Sequence, residues 1–464
     1  MTIKAKIGNA IYLSTGSVPI NAVQEIKNSL TMQNPDWLKN EKYGRWNGNT
    51  PRELRYYQHE DGVLTIPRGF LPQMEEILKG HGYLAIVMDD TRTVDEVNFT
   101  FSGTLRPYQK EAAESILSKD MGVAQMPTGS GKTVVALYCI AQRKQPAIVI
   151  VDTKELFDQW IDRIESLLGI PKKEVGIITG GKKNVVGEKI TVSTVQSLYK
   201  CADQILPHIG HVVLDECHIV PAKTFSEAVN AFDAKYRLGL SATPYNHDGL
   251  SDLIFWYMGE LVHSVSPEKL QDLGEIMQVK VLARATTFDY PYHGSDDYQP
   301  MIRALINDSS RNSLIAEDVK EFVDDCKGAV LVVSDRIEHC QDLYNRLDGN
   351  GFRTEILTSD VKPKSKREAI VQDLNAGNVR VLIATTQLIG KGFDCKSLTG
   401  LFITMPISSP RRLVQLMGRV VRTEEGKEQP IVYDYDDKPE VLKYRFHQRG
   451  DIYESEGAII GRKW

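Results

Sequence analysis

Met126-Pro-Thr-Gly-Ser-Gly-Lys-Thr133 decides how the rest of the chain is read. A short apolar run, Gly122–Gln125, leads into it. An apolar stretch with helical spacing, Val134–Ile140, leads out. The pattern is strand, Gly-rich turn, helix. Backbone N–H groups of such a turn, with the positive end of the following helix, can cradle a polyphosphate. Pro127, Thr128, Gly129, Ser130 and Gly131 would form the cradle. Lys132 would reach the terminal phosphates and Thr133 would ligate Mg²⁺. Gly129 and Gly131 permit positive φ and close backbone approach. The strict pattern wants Gly five positions before Gly131, where this chain has Met126. Taken alone, the stretch could also be an ordinary Gly-rich turn between strand and helix.

The chain has 464 residues, a length that suggests about three domains. It is 42% hydrophobic and 25% charged, which suits a globular protein with more than one core. No stretch approaches the roughly 20 apolar residues of a membrane span, and no basic-then-apolar leader opens the sequence. Six scattered cysteines (Cys139, Cys201, Cys217, Cys326, Cys340, Cys395) include no Cys-x-x-Cys pair. They read as free thiols of a reducing cytoplasm rather than a zinc site or a disulfide framework. A net charge of -5 argues against a passive, charge-driven nucleic-acid coat, though not against a motor whose contacts sit in one cleft.

Residues 1–98 read as a small α+β domain. Ile3, Ala5 and Ile7 alternate, Ala22 to Leu30 has helical spacing, Phe70–Leu78 reads as a helix and Tyr83–Met88 as a strand. Between Lys39 and Tyr57, five basic residues face only Glu41 and Glu53, and Tyr43, Arg45 and Trp46 interleave charge with aromatic rings. That mixture suits phosphate contacts with base stacking. The alternative is a Gly-containing hairpin with Tyr43 and Trp46 in its core. The polar stretch from Asp89 to Glu96 reads as a linker.

From 99 to 270, apolar runs alternate with helix-length segments: Val123–Gln125, Ala147–Val151, Ile190–Ser193, His211–Leu214 and Tyr236–Leu240. That alternation predicts a parallel sheet covered by helices, with ligands at the carboxyl ends of its strands. Asp215-Glu216 stands at one such end. The first carboxylate can hold Mg²⁺, and the second can orient and deprotonate an attacking water. An acidic helix cap is the plainer reading of an isolated pair.

From 271 to 464 the alternation restarts, with runs at Lys280–Ala285, Ala329–Val333, Thr354–Leu357, Val379–Ala384, Leu401–Met405 and Ile431–Tyr435, and without a second phosphate loop. Thr287–Pro300 reads as an irregular insertion. Gln415-Leu-Met-Gly-Arg-Val-Val-Arg422 has helical spacing, which puts Arg419 and Arg422 on one face. Such arginines can act as fingers on a transferring phosphoryl group held by another domain. A solvated basic helix face is the plain alternative.

The ordered set Leu105-Arg-Pro-Tyr-Gln109, Pro127 to Thr133, Asp215-Glu-Cys-His218, Ser241-Ala-Thr-Pro244, Ala384 to Asp394 and Gln415 to Arg422 resembles the two motor domains of superfamily-2 helicases. The resemblance covers about residues 100 to 440. It implies two tandem RecA-like domains, 99–270 and 271–464, in an α/β fold. It further implies ATP and Mg²⁺ as cofactors. Arg106, Tyr108, Gln109, Gly392 and Asp394 would join the ATP site, with Gln109 reading the adenine edge and Gln415 joining Lys132, Asp215, Glu216, Arg419 and Arg422 in catalysis. In that family Ala often stands where this chain has Met126. Ser241 and Thr243 would couple the ATP site to a nucleic-acid site. Lys154, Thr194, Gln196, Ser334 and Thr386 would grip one strand.

Asp152-Thr-Lys-Glu-Leu-Phe-Asp-Gln-Trp160 is similar to XPB-like DNA translocases and phage helicases. Lys42-Tyr-Gly-Arg-Trp-Asn-Gly48, with Pro67-Arg-Gly-Phe70, is similar to the leading domain of phage UvsW-like helicases. The resemblance thus implies an ATP-driven enzyme that remodels branched DNA in recombination or repair. It implies a forked or branched DNA partner, no membrane partner, a monomer, and the cytoplasm of a host cell. An RNA remodeler is the rival among enzymes, and a non-catalytic nucleotide-gated DNA-binding switch is the rival outside them.

Overall fold

Strand Met121–Gln125, which leads into the phosphate loop, lies between Tyr236–Ser241 and Leu261–Ser264 in an eight-stranded sheet. The computed structural model describes the chain except residues 1, 43, 181, 185–187, 199, 201–204, 220–222, 244–249, 390–394 and 464, and the side chains of 182, 183, 219, 223–225, 364, 462 and 463. Tyr43, Gly392 and Asp394 therefore fall outside the described residues, as do Pro244 and Cys201. The chain divides into two compact units, Met1–Met126 with Gly131–Ser264, and Pro127–Ser130 with Val265–Trp464.

In the first unit the large sheet runs Lys182–Asn184, Gly176–Thr179, Ile190–Thr194, Ala147–Val151, His211–Asp215, Tyr236–Ser241, Met121–Gln125, Leu261–Ser264. Every pairing is parallel except that of Lys182–Asn184. All five residues of Ala147–Val151 are buried, as expected for a strand covered on both faces. Three strands run one residue past the apolar run that marks them, to Thr194, Asp215 and Ser241. An apolar reading stops at the last greasy side chain, whereas the hydrogen-bond ladder continues to the polar residue at the tip. Adjacent strands thereby deliver Asp215, Ser241 and the phosphate loop along one edge of the sheet.

The second unit holds a seven-stranded sheet in the order Thr354–Leu357, Val381–Thr385, Ala329–Ser334, Leu398–Ile403, Ile431–Asp436, Lys280–Ala285, Ile459–Lys463. All its pairings are parallel. The insertion expected over Thr287–Pro300 is irregular at first. It then takes up a short 3-10 turn, Ser295–Asp297, and enters the helix Tyr298–Asn307.

A third sheet, five-stranded and mixed, is built from the first ninety residues. Thr2–Ile7 alternates exposed and buried positions, with Ile3, Ala5 and Ile7 inward, and pairs in parallel with Leu84–Asp89. Its core does not stand alone. One continuous apolar cluster joins Ile3, Leu64, Phe70 and Met74 to Leu253, Ile254 and Trp256 of the first motor sheet's helices. Phe70 meets Trp256 edge-on at 6.1 Å. At Gly69 an added Cβ would sit 2.2 Å from Phe255 O and 2.7 Å from Trp256 O, so only glycine allows that backbone approach.

Two buried arginines complete the join by donating to carbonyls. Arg68 reaches Ala234 O and Lys235 O at 2.6 Å each, and Arg237 reaches Asn9 O at 2.9 Å. The stretch Asp89–Glu96, expected to be a linker, is instead bonded down. Arg92 forks onto Asp233 at 2.7 to 3.1 Å, and Val94 N donates to Gln145 Oε1 at 2.7 Å. Its polar composition looks like a linker's because the polar groups bond across to the motor sheet.

The alternative of a hairpin around Trp46 also fails. Pro35–Lys42 is a helix, Glu53–Arg55 pairs with Thr31–Gln33, and Trp46 is 92% exposed. Cys139, Cys217, Cys326, Cys340 and Cys395 are buried free thiols. Among the described residues no helix is long and apolar enough to cross a membrane.

Candidate active site

The phosphate loop turns on Gly129 (φ +87°) and Gly131 (φ +82°), both in the left-handed region that favours glycine. Gly131 precedes the helix Lys132–Arg143. A Cβ there would also lie 2.5 Å from Gln109 Nε2. That proximity places the Gln109 side chain beside the loop. Met126 N donates to Ser241 O at 2.9 Å, so Met126 continues the sheet ladder and needs no glycine conformation. Its carbonyl accepts from Lys132 Nζ at 3.2 Å. Arg106 caps the helix Pro107–Leu117, its N–H donating to Gln109 Oε1 at 3.0 Å. Tyr108 and Gln109 are buried in its first turn, with Gln109 Nε2 3.4 Å from the Tyr108 hydroxyl.

Asp215 and Glu216 sit where strand His211–Asp215 ends. Asp215 accepts from Glu216 N at 3.0 Å through Oδ1 and from Trp160 Nε1 at 2.8 Å through Oδ2. Burial, and then the Glu216 charge, push the Asp215 carboxyl up to about 6, against the pull of Lys132 and the Trp160 hydrogen bond. Glu216 takes φ +56°, an uncommon conformation for a residue with a side chain and one often found at functional sites. It lies 3.9 Å from Lys132 Nζ through Oε1 and 3.2 Å from His218 Nδ1 through Oε2. His218 Nδ1 is also 3.0 Å from Ser241 Oγ, which accepts from Thr243 N at 3.1 Å. One chain of contacts therefore runs from Lys132 through Glu216 and His218 to Ser241 and Thr243.

Trp160 and His218 are the residues that assigning roles by motif passed over. Both lie inside quoted stretches. The signal for Trp160 was a polar ring atom on an otherwise apolar helix stripe, Phe157, Trp160, Ile164 and Leu168.

The oxygen donors suit Mg²⁺. Asp215 offers a carboxylate at a strand end and Thr133 a half-buried hydroxyl. Among the described residues no group of three His, Cys, Asp or Glu could cage a metal. Mg²⁺ does not need such a cage, since it keeps waters and is held by one or two carboxylates plus substrate phosphates.

In the second unit, Gln415 and Arg419 lie on the helix Pro410–Val420. Arg422 does not share their helical face, because the helix stops at Val420. Met277 N then bonds Val421 O at 2.7 Å, and Arg422 bridges Ile276 in an extended pairing. The spacing rule fails there because the helix ends two residues before the second arginine, which is in extended pairing instead.

The residues expected to grip nucleic acid divide by exposure. Arg45, Trp46, Lys154 and Gln196 are exposed. Lys154 pairs with Asp158 and lies 4.1 Å over the Phe157 ring. Thr194, Ser334 and Thr386 are buried, and their hydroxyls bond to Ser197, His339 and Asp335. Contact through those three side chains requires them to leave these partners.

Residues 102–246 match the family described as type III restriction enzyme, res subunit, and 315–424 match the helicase conserved C-terminal domain. A protein of Acanthamoeba polyphaga mimivirus, named as an ATP-dependent RNA helicase, is 29% identical over 98% of this chain and 86% of its own. The DNA 3'-5' translocase XPB2 of Sulfurisphaera tokodaii is 27% identical over 69% of this chain and 79% of its own. The structure of S. cerevisiae Dbp5 bound to RNA aligns with a TM-score of 0.55 at 16% identity, covering 77% of this chain and 89% of that one, a likeness of fold. With both motor domains matched, the chain belongs to the superfamily-2 helicases, ATP-hydrolysing enzymes that act on nucleic acid, and XPB proteins are among those it is similar to.

Proposed function

We propose that the protein is an ATP-driven DNA translocase that remodels forked or branched DNA. The observation that carries the DNA part is the exposed Trp46 beside Arg45, in the segment between helix Pro35–Lys42 and strand Glu53–Arg55 of an N-terminal region whose core is fused to the first motor sheet. An exposed ring with neighbouring cations suits stacking and phosphate contact. The DNA translocase name carried by the Sulfurisphaera relative supports the same reading.

In this reading Gln109 and the loop Pro127–Thr133 hold the nucleotide. Lys132 meets its terminal phosphates. Mg²⁺, when bound, supplies charge neutralisation on those phosphates, with Thr133 and Asp215 as its protein ligands. Glu216 orients and deprotonates the attacking water. Arg419 and Arg422 supply positive charge to the transferring group, and Gln415, Gly392 and Asp394 take the nucleotide-contacting roles that the resemblance gives them. His218, which touches both Glu216 and Ser241, carries a change at the carboxylate to Thr243 and onward to the DNA-contacting residues.

An RNA remodeler is the second reading, favoured by the name of the mimivirus relative that spans nearly the whole chain. The test is ATPase stimulation by forked DNA, a Holliday junction, plain duplex DNA and single-stranded RNA, each at several salt concentrations. Forks and junctions should stimulate most. Stimulation by RNA alone would overturn the DNA reading, and equal stimulation by fork and plain duplex would overturn the branched-DNA part.

A further inference from the structure

Asp215 has two carboxylate oxygens, and each carries one N–H donor. Glu216 N binds Oδ1 at 3.0 Å and the Trp160 indole binds Oδ2 at 2.8 Å. The first donor is local and follows from the turn at Glu216. The second comes from 55 residues away in sequence, on the helix Lys154–Leu168. That helix follows strand Ala147–Val151, the sheet neighbour of His211–Asp215. Thr153 caps it, its hydroxyl accepting from Leu156 N at 3.4 Å. Trp160 then lies within the second turn, 1% exposed, with its ring in the buried stripe and its single polar atom on the carboxylate. Phe157, Ile164 and Leu168 fill the rest of that stripe with purely apolar side chains. Packing alone asks for no N–H at position 160, and a buried indole N–H must find an acceptor.

Two donors on different oxygens fix the plane of a carboxylate. Each oxygen keeps acceptor capacity for a further ligand. We infer that Trp160 is a positioning residue for the ATPase, holding Asp215 in the rotamer that meets the cation of a bound Mg²⁺–nucleotide. The inference rests on the reading of Asp215 as the cation carboxylate. Loss of the indole N–H leaves Asp215 held by Glu216 N alone, which no longer fixes the plane of its carboxylate. Outer-shell partners of metal ligands typically contribute 10–100-fold to metal affinity.

The test uses the full chain with Trp160→Phe, which keeps an aromatic ring and removes the N–H, beside Asp215→Asn. A fluorescent ATP analogue is titrated in EDTA and in Mg²⁺, and thermal unfolding is recorded for each variant. Trp160→Phe should bind the analogue in EDTA as the unaltered protein does. The gain in affinity on adding Mg²⁺ should shrink roughly tenfold, and the Mg²⁺ concentration for half-maximal ATPase should rise by a similar factor. A Mg²⁺ gain intact in Trp160→Phe but lost in Asp215→Asn overturns the positioning role alone. A gain intact in Asp215→Asn overturns the reading of Asp215 beneath it. If Trp160→Phe does not fold, the unaltered protein labelled with 5-fluorotryptophan answers instead. The Trp160 fluorine resonance should move when Mg²⁺ joins the nucleotide and stay fixed with nucleotide in EDTA. An unmoved resonance overturns the inference.

Discussion

In the first unit Ser241 closes its strand with its hydroxyl 3.0 Å from His218 Nδ1 and accepts from the N–H of Thr243 at 3.1 Å. In the second unit Ser334 closes its strand with its hydroxyl 3.0 Å from His339 Nδ1 and accepts from the N–H of Arg336 at 3.1 Å. The local device is the same, and the surroundings differ. His218 also touches Glu216 at 3.2 Å, so its ring joins an acidic side chain to a strand tip. His339 turns its other nitrogen to Asn312 at 3.0 Å, on the helix Ser309–Asp325, and holds no acid. Parallel sheets thus repeat their strand-end geometry, while chemistry follows from what is placed beside the repeat. A further feature of the first unit is the N-terminal sheet, which shares its core with the first motor sheet.

That fused core gives the largest expected effect. Sequence alone expects that removing residues 1–95 leaves basal ATPase. The structure expects the first unit to fail to fold, because Phe70, Leu64 and Met74 leave Leu253, Ile254 and Trp256 uncovered. Each such side chain contributes about 1.5–3 kcal/mol by burial, against a total stability of about 5–15 kcal/mol. Calorimetry should lose one unfolding transition, and ATPase should fall to background. A truncated protein with basal ATPase within twofold would show that the two sheets are separable.

The two units can next be weighed against each other in turnover. Glu216→Gln should lower the ATPase rate by about 10²–10⁴ and leave nucleotide affinity nearly unchanged. Arg419→Ala should cost about 10³ or more if the second unit supplies the finger. Single-turnover hydrolysis and equilibrium nucleotide binding separate the effects. An unchanged rate in Glu216→Gln favours the non-catalytic switch, and an unchanged rate in Arg419→Ala removes the second unit from the chemistry.

The sheets were legible because buried parallel strands write themselves as apolar runs. Ala147–Val151, Lys280–Ala285 and Thr354–Leu357 were read to the residue. The phosphate loop and the acidic pair were legible because each is contiguous and sits at a strand tip. What escaped depends on contacts between distant segments. Trp160 meets Asp215 across 55 residues, and Arg68 meets Ala234 across 166. The positive φ of Glu216 escaped too, since nothing in Asp-Glu-Cys-His announces a left-handed backbone. The resemblance set Ser334 against a nucleic-acid strand, whereas the residue is buried with its hydroxyl on His339, a contact that nothing in Ser-Asp-Arg336 announces.

The second histidine gives a pH test of the comparison. Burial, and then Arg311 and Arg346, lower the His339 imidazole to about 3, from an ordinary 6.5. The unfolded chain therefore binds a proton below 6.5 that the folded second unit refuses. Stability is complete above pH 6.5 and falls as pH drops toward 3. Between pH 7 and pH 5 the loss is about 2 kcal/mol. His339→Gln should remove that slope, read as hydrogen exchange across Ala329–Ser334 at the two pH values. His211 in the first unit is also held neutral by burial, so global melting alone would mix the two. An unchanged slope in the variant would mean that His339 accepts its proton within the fold, and that the Ser334 device is not a fixed pin.

The smallest expected effect on stability falls on the residue with the most to say about function. Trp46 and Trp256 both belong to the first unit, at 92% and 5% exposure. Trp256 packs against Phe70 and Tyr56, and truncating it to Ala should cost about 3–5 kcal/mol. Trp46 projects into solvent, and a Cβ added at Gly48 (φ +49°) would lie 3.2 Å from its ring. Trp46→Ala should therefore change stability by no more than about 0.5 kcal/mol. If a base stacks there, DNA affinity should fall by about 1–3 kcal/mol with nucleotide affinity untouched. Fluorescence anisotropy on a forked duplex, beside a melting curve for each protein, reads both numbers. Full DNA affinity in the variant would leave the N-terminal sheet a purely structural part of the motor, and the branched-DNA reading would lose its support in the first hundred residues.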